Sequence, residues 1–224
     1  MRHRGRRLRD RLPPVFLSGA LTLPPLATPD FCALPAATLA PALVGCLLVR
    51  DEVVLRITET EAYFWPGDSA CHARAGRTPR TEPMWGPAGR AYVYLCYGIH
   101  SLLNIVADAD GTAAAVLIRA VEPVSGHDVI AGRRGLRTLR PDSLAGPGKV
   151  GQALALDPTW SHHDLLHPGG LQLRRAFAQP DIIAGPRVGI GYADPAHQAW
   201  PLRFADASSP WVSHRRGLGP VPNS

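Results

Sequence analysis

The run Val53–Tyr63 constrains this chain most, because it reads as one long strand yet carries Glu59 and Glu61 one strand repeat apart. In an extended chain alternate residues share a face, so Glu59, Glu61 and Tyr63 point one way while Thr58, Thr60 and Ala62 point the other. Two carboxylates on one face must be solvated, paired or functional, since an unpaired buried charge is very costly. A solvated edge strand is the plainest solution, because acidic side chains are mostly exposed.

The 224 residues suffice for one domain with a core, and 46% hydrophobic with 19% charged residues describes a soluble folded protein. With 23 prolines and 22 glycines, short elements joined by many turns are expected. The net charge of +6 is concentrated at the start: six arginines against Asp10 in residues 2–11 make +5, leaving +1 for the remainder. A polyanion site in the body must therefore be a local patch, with Arg74, Arg77, Arg80 and Arg90, or Arg133, Arg134, Arg137 and Arg140, as candidates. Cys32, Cys46, Cys71 and Cys96 are widely spaced and read as reduced thiols of a cytosolic protein. Cys71-His72 lacks the second closely spaced pair that a metal site needs.

Residues 1–25 are expected to form a basic, disordered arm, residues 26–216 a single domain, and residues 217–224 a frayed tail. Pro24 and Pro25 break the apolar run Val15–Ala27, so neither a signal peptide nor a membrane span is expected there. Thr28-Pro29 starts a helix running toward Gly45, with Pro35 and Pro41 against its continuity. Two strands around Asp51-Glu52 follow, then a long loop over 66–89, then strands over 91–97, 101–108 and 113–121. Pro147-Gly148-Lys149 opens a helix whose free N–H groups suit a phosphate. Short strands are predicted near Leu171–Leu173, Arg187–Ile190 and Leu202–Phe204.

Tyr92, Tyr94, Tyr97 and His100 gather at one hairpin. Strand tyrosines are ordinarily good β-formers, but Tyr97 at a glycine-containing tip has no core to enter, which suits a wedge or stacking role. Arg119, inside the apolar run Val116-Leu117-Ile118, needs an acidic partner; Glu59 and Glu61 are both available.

Glu59-Thr60-Glu61-Ala62-Tyr63, His72 nine residues later, Tyr94-Leu95-Cys96-Tyr97-Gly98, Asn104, Val116-Leu117-Ile118-Arg119-Ala120-Val121-Glu122-Pro123, Gly146-Pro147-Gly148-Lys149 with Gln152-Ala153-Leu154, and Pro210-Trp211-Val212-Ser213 share one order and near-spacing with a known family. Over about residues 30–215 the chain resembles the alkyladenine (3-methyladenine) DNA glycosylases, and its short basic arm is similar to that of bacterial members. The resemblance implies a mixed α/β (α+β) domain: a curved, mainly antiparallel sheet with surrounding helices and a protruding hairpin. It implies a monofunctional, monomeric enzyme of the bacterial cytoplasm that repairs double-stranded DNA carrying damaged purines, with no metal or organic cofactor.

By that resemblance Tyr97 intercalates, Tyr63 and Tyr94 hold the flipped base from its two sides, and His72 closes the stack beside Tyr63. Glu61 activates a water that Arg119 orients, and Asn104 crowds the 2-amino group of normal guanine. Arg74, Arg77, Arg80 and Lys149 are candidates for the DNA backbone. Two other functions fit some of the same residues. A lyase would use Lys149, the chain's only lysine, as a Schiff-base amine. A damage-binding protein would need Tyr97 and the arginines but not Glu61 or Arg119.

Overall fold

The computed structural model describes residues 16–17 and 20–221; most of the basic arm lies outside them. A short ribbon of β1 (Phe16–Leu17) and β2 (Ala20–Leu21) precedes α1 (Pro29–Cys32) and α2 (Ala36–Leu43). The expected single helix over this region is two helices. Ala33 caps the first with its own N–H, and Pro35 stands as N-cap of the second in an extended conformation. Residues 24 and 25, placed in the arm by sequence, are tied to the body: the Pro24 carbonyl accepts from Arg174 and that of Pro25 from the Arg175 N–H.

The strands are β3 (Leu47–Arg50), β4 (Val53–Phe64), β5 (Ala91–Cys96), β6 (His100–Val106), β7 (Ala114–Ser125), β8 (Leu171–Arg174), β9 (Ile182–Gly185), β10 (Arg203–Asp206) and β11 (Gly219–Pro220). They form one antiparallel sheet in the order β11-β9-β10-β4-β7-β6-β5, with β3 and β8 attached beside the first half of β4. Three helices flank the later strands: α3 (His127–Arg134), α4 (Pro147–Ala153) and α5 (Pro195–Gln198). The domain is mixed α/β with a mainly antiparallel sheet, as expected. Among the described residues no helix is long and apolar enough to cross a membrane.

Two expectations fail locally. Arg187–Ile190 is not a strand, because β9 ends at Gly185 and the chain then turns away past Pro186. The tail is not frayed at Gly219–Pro220, which pairs with β9. A Cβ on Gly185 would meet the Gly217 carbonyl at 2.0 Å, so tail and sheet approach closely only because glycine stands there.

The solvated edge strand is also wrong. β4 lies inside the sheet, paired with β7 on one side and with β3 and then β10 on the other. The pleat then sorts the side chains. Thr60, Ala62, Val93, Leu103, Ile105, Val116 and Ile118 face α2 and α4 in the main apolar core, where the Thr60 hydroxyl donates to the Ala40 carbonyl. α4 packs so closely on β6 that a Cβ on Gly151 would lie 1.9 Å from the Ser101 carbonyl oxygen. The other face carries Glu61 and Tyr63 from β4, Ala115, Leu117 and Arg119 from β7, Leu102 and Asn104 from β6, and Tyr92 and Tyr94 from β5. The connection over 66–89 covers that face. Two 3-10 turns, His72–Ala75 and Glu82–Trp85, give this long loop structure of its own.

Candidate active site

On the covered face lies a cavity of about 640 Å³. Its wall includes all five tyrosines of the chain, Tyr63, Tyr92, Tyr94, Tyr97 and Tyr192, together with His72, Arg80, Asn104 and Arg119. The size is that of a small-molecule site, and the lining is aromatic with few polar groups.

Under one side of this cavity the two acids of β4 are fully buried, at 0% exposure. A bulge explains how they are matched. The β4–β7 ladder slips between Ile57 and Thr60, leaving Arg119 without an opposite residue between Ala120↔Glu59 and Ile118↔Thr60. Such slips bend a strand and re-aim a side chain. Arg119 spans both acids, with Nη1 3.2 Å from Glu61 Oε1 and Nε 3.4 Å from Glu59 Oε1. The two partners proposed for Arg119 are thus both real. Glu59 is further held by Arg203 Nη1 at 3.2 Å, the Ser213 N–H at 2.7 Å and the Ser213 hydroxyl at 3.0 Å. Two acids and two arginines leave the cluster neutral, the condition under which charges can be buried.

Glu61 differs from Glu59 in its neighbours. Oε1 accepts from the Val188 N–H at 2.8 Å, and Oε2 accepts from the Tyr63 hydroxyl at 2.8 Å. Burial and the Glu61 carboxylate hold the Tyr63 hydroxyl well above its usual pKa, so it stays a donor. Glu61 thus touches three residues of the cavity wall, Tyr63, Arg119 and Val188, and Oε2 keeps a second lone pair. Glu59 has no such neighbour on the wall except Arg119; its part is to hold the arginines.

His72 sits elsewhere than expected. Its ring packs edge-on against Tyr94 at 4.6 Å and against Tyr92, with Nδ1 3.1 Å from the Tyr92 hydroxyl, so it belongs to the wall made by β5 and not to the side of Tyr63. Cys71 and Ala73, on either side of His72, are buried in one cluster with Tyr92, against which Tyr94 packs, and this brings the ring to that wall. Burial, with Arg80 and Arg74 nearby, pushes His72 down to about 4, leaving a neutral imidazole. Asn104 is buried and pinned, its amide donating to the carbonyls of Tyr92 at 3.0 Å and Leu102 at 3.3 Å.

At the mouth, Tyr97 is 92% exposed at the tip of the β5–β6 hairpin, with φ 51 at Tyr97 and 71 at Gly98. Nothing lies within 4 Å of where a Gly98 Cβ would be, so that glycine serves the left-handed turn and not a tight fit. Arg80 lies over Tyr94 at 5.1 Å and Arg74 over Tyr192 at 4.6 Å, whereas Arg77 is ion-paired with Glu82. Lys149 Nζ donates to the Asp142 carbonyl at 2.6 Å and is not on the cavity wall.

Sequence reading missed Tyr92 as a partner of His72, as well as Arg187, Val188, Tyr192 and Arg203. Arg203 had the signal that exposed Arg119: a lone arginine between Leu202 and Phe204. Val188 acts through its backbone and had none.

An aromatic cavity, a buried carboxylate beside it and an exposed hairpin tyrosine thus stand together on one face of the sheet. The family model described as methylpurine-DNA glycosylase matches residues 30–210. The DNA-3-methyladenine glycosylase of Arabidopsis thaliana is 57% identical over 189 residues, covering 84% of this chain and 74% of its own. A Nitrosococcus oceani protein provisionally named as a 3-methyladenine DNA glycosylase is 55% identical over 195 residues, 87% of this chain and 96% of its own. The chain belongs to the methylpurine-DNA glycosylase family of DNA-repair enzymes.

Proposed function

We propose that this chain is a monofunctional glycosylase that removes alkylated or deaminated purines, of the 3-methyladenine, 7-methylguanine and hypoxanthine type, from duplex DNA. Tyr97 fills the gap left when the damaged nucleotide rotates out, a motion that costs least at a weakened base pair. The base enters between Tyr63 on one side and Tyr94 with His72 on the other. Stacking on such rings contributes about 1–3 kcal/mol per base and tolerates many base identities.

Arg119 orients a water, Glu61 takes its proton, and the water oxygen bonds to C1′ as the C1′–N bond breaks. The bonding pair leaves with the purine. A methylated purine is already cationic and departs neutral, so for it one carboxylate suffices where most sugar hydrolases use two; hypoxanthine is neutral and takes up a proton from water as it leaves. Asn104, fixed by two backbone carbonyls, crowds a 2-amino group and so rejects normal guanine.

The observation that carries this reading is the Arg119–Glu61–Tyr63 chain, which joins a buried carboxylate to the wall of the aromatic cavity. A DNA-bending protein without chemistry would have no use for it. A lyase is disfavoured by Lys149, whose amine is engaged with a carbonyl away from the cavity. Glu61→Gln should bind an abasic-site duplex as the parent does while releasing methylated purines roughly 100- to 10,000-fold more slowly. Release at the parent rate would remove Glu61 from the mechanism.

A further inference from the structure

Behind the Tyr63 ring lies a second buried ion pair. Arg187 and Asp68 have no exposed side-chain surface and meet through two bonds, Nη1 to Oδ2 at 2.5 Å and Nη2 to Oδ1 at 2.8 Å. Stability alone is a poor reason for such a pair, since well-packed apolar residues of similar volume often do as well. Its contacts suggest another purpose. Arg187 Nη1 also donates to the Ala62 carbonyl at 2.8 Å, and the guanidinium carbon is 4.7 Å from the centre of the Tyr63 ring. Tyr63 lines the cavity whereas Arg187 does not, so the guanidinium backs the ring from the protein side. Asp68 Oδ1 accepts from the Ala70 N–H, two residues before His72. The residue after Arg187 is Val188, whose N–H is bonded to Glu61.

One ion pair therefore joins three parts of the site: β4 with Tyr63, the loop leading to His72, and the segment that presents Val188 to Glu61. We infer that Arg187 and Asp68 are positioning residues for base excision, holding Tyr63 as a fixed platform and the Val188 N–H as a fixed donor to Glu61. They touch neither the base nor the water. This rests on the excision reading above. The planar fork of arginine is essential to it, since lysine supplies the charge but cannot bond Asp68 and Ala62 in the same geometry.

The test uses the full chain and two readouts: single-turnover release of methylated purines from alkylated duplex at saturating enzyme, and affinity for a duplex bearing a stable abasic-site analogue, which offers no base to stack. Arg187→Lys should slow release on the order of 100-fold, the scale on which a small misplacement costs rate, with abasic-duplex affinity unchanged. Asp68→Asn should act in the same direction. Release by Arg187→Lys at the parent rate overturns the inference, and so does an equal loss of abasic-duplex affinity, which would mark a general scaffold role. No release by the parent protein would instead overturn the excision function itself. Should Arg187→Lys fail to fold, Arg187→Met with Asp68→Leu removes both charges while keeping volume. That protein should fold, bind and release slowly; release at the parent rate again overturns the inference.

Discussion

The buried acid–arginine cluster and the hairpin tip are opposites placed beside one cavity. Glu59, Glu61, Arg119 and Arg203 are each at most 7% exposed and mutually bonded, whereas Tyr97 is 92% and Ile99 73% exposed. The cluster must hold a carboxylate in one place, so its freedom is removed by bonds from β4, β7, β10 and the segments after β9 and β10. In the proposed function the tip enters another molecule, which requires a ring not spent on contacts within this one. Stability and substrate contact are thus separated in space, and substitutions at the two sites should fail in different ways.

Four measurements can break or sharpen that contrast. Glu59→Leu leaves Arg119 and Arg203 buried with one acid between them, and urea unfolding should show a loss of about 3–5 kcal/mol. A loss near zero would mean that the cluster is not structural. Next in size is a pH effect on the cavity wall. His72 titrates near 4 in the folded protein, below the ordinary histidine value, because burial disfavours its charged form. The unfolded chain then binds the extra proton first, so stability is whole above about pH 6.5 and declines as pH falls toward 4, by up to about 3 kcal/mol. Against the parent, His72→Gln should show a flatter stability profile across that window; an identical profile would assign the acid sensitivity to other groups.

Tyr97→Ala should leave the unfolding midpoint where it is and weaken binding to a lesion-bearing duplex by about 1–3 kcal/mol. A drop in the midpoint would show that the tip contributes to the fold after all. The smallest effect belongs to Asn104→Ser, which should raise excision of guanine-type lesions relative to hypoxanthine by roughly 10-fold. Unchanged selectivity would place the clash with guanine elsewhere on the wall.

Alternation along single strands made much of the site legible. Glu61 with Tyr63, Tyr92 with Tyr94, and Leu117 with Arg119 share a face because each pair is two residues apart, and that relation survives whatever the strands pair with. The glycine at the tip marked Tyr97 for the same local reason. The arrangement of the polar partners was not legible. Exposure of β4 was misjudged because a run of acids looks solvated until its counter-charges are known. His72 was misplaced because a loop residue takes its direction from whatever the loop covers.

By itself, then, the chain's sequence determined strands β3 to β7, the face on which the acids and rings stand, and the hairpin that carries Tyr97, since these depend on backbone sterics and neighbours two residues away. Tertiary structure alone decided that both acids are buried, that the bulge gives Arg119 to both of them, and that Arg187, Val188, Arg203 and Ser213 complete the site. The reason is distance along the chain: Val188 reaches Glu61 across 127 residues, Arg203 reaches Glu59 across 144 and Ser213 reaches it across 154. Contacts of that span leave no local pattern, because only the closed sheet brings their ends together.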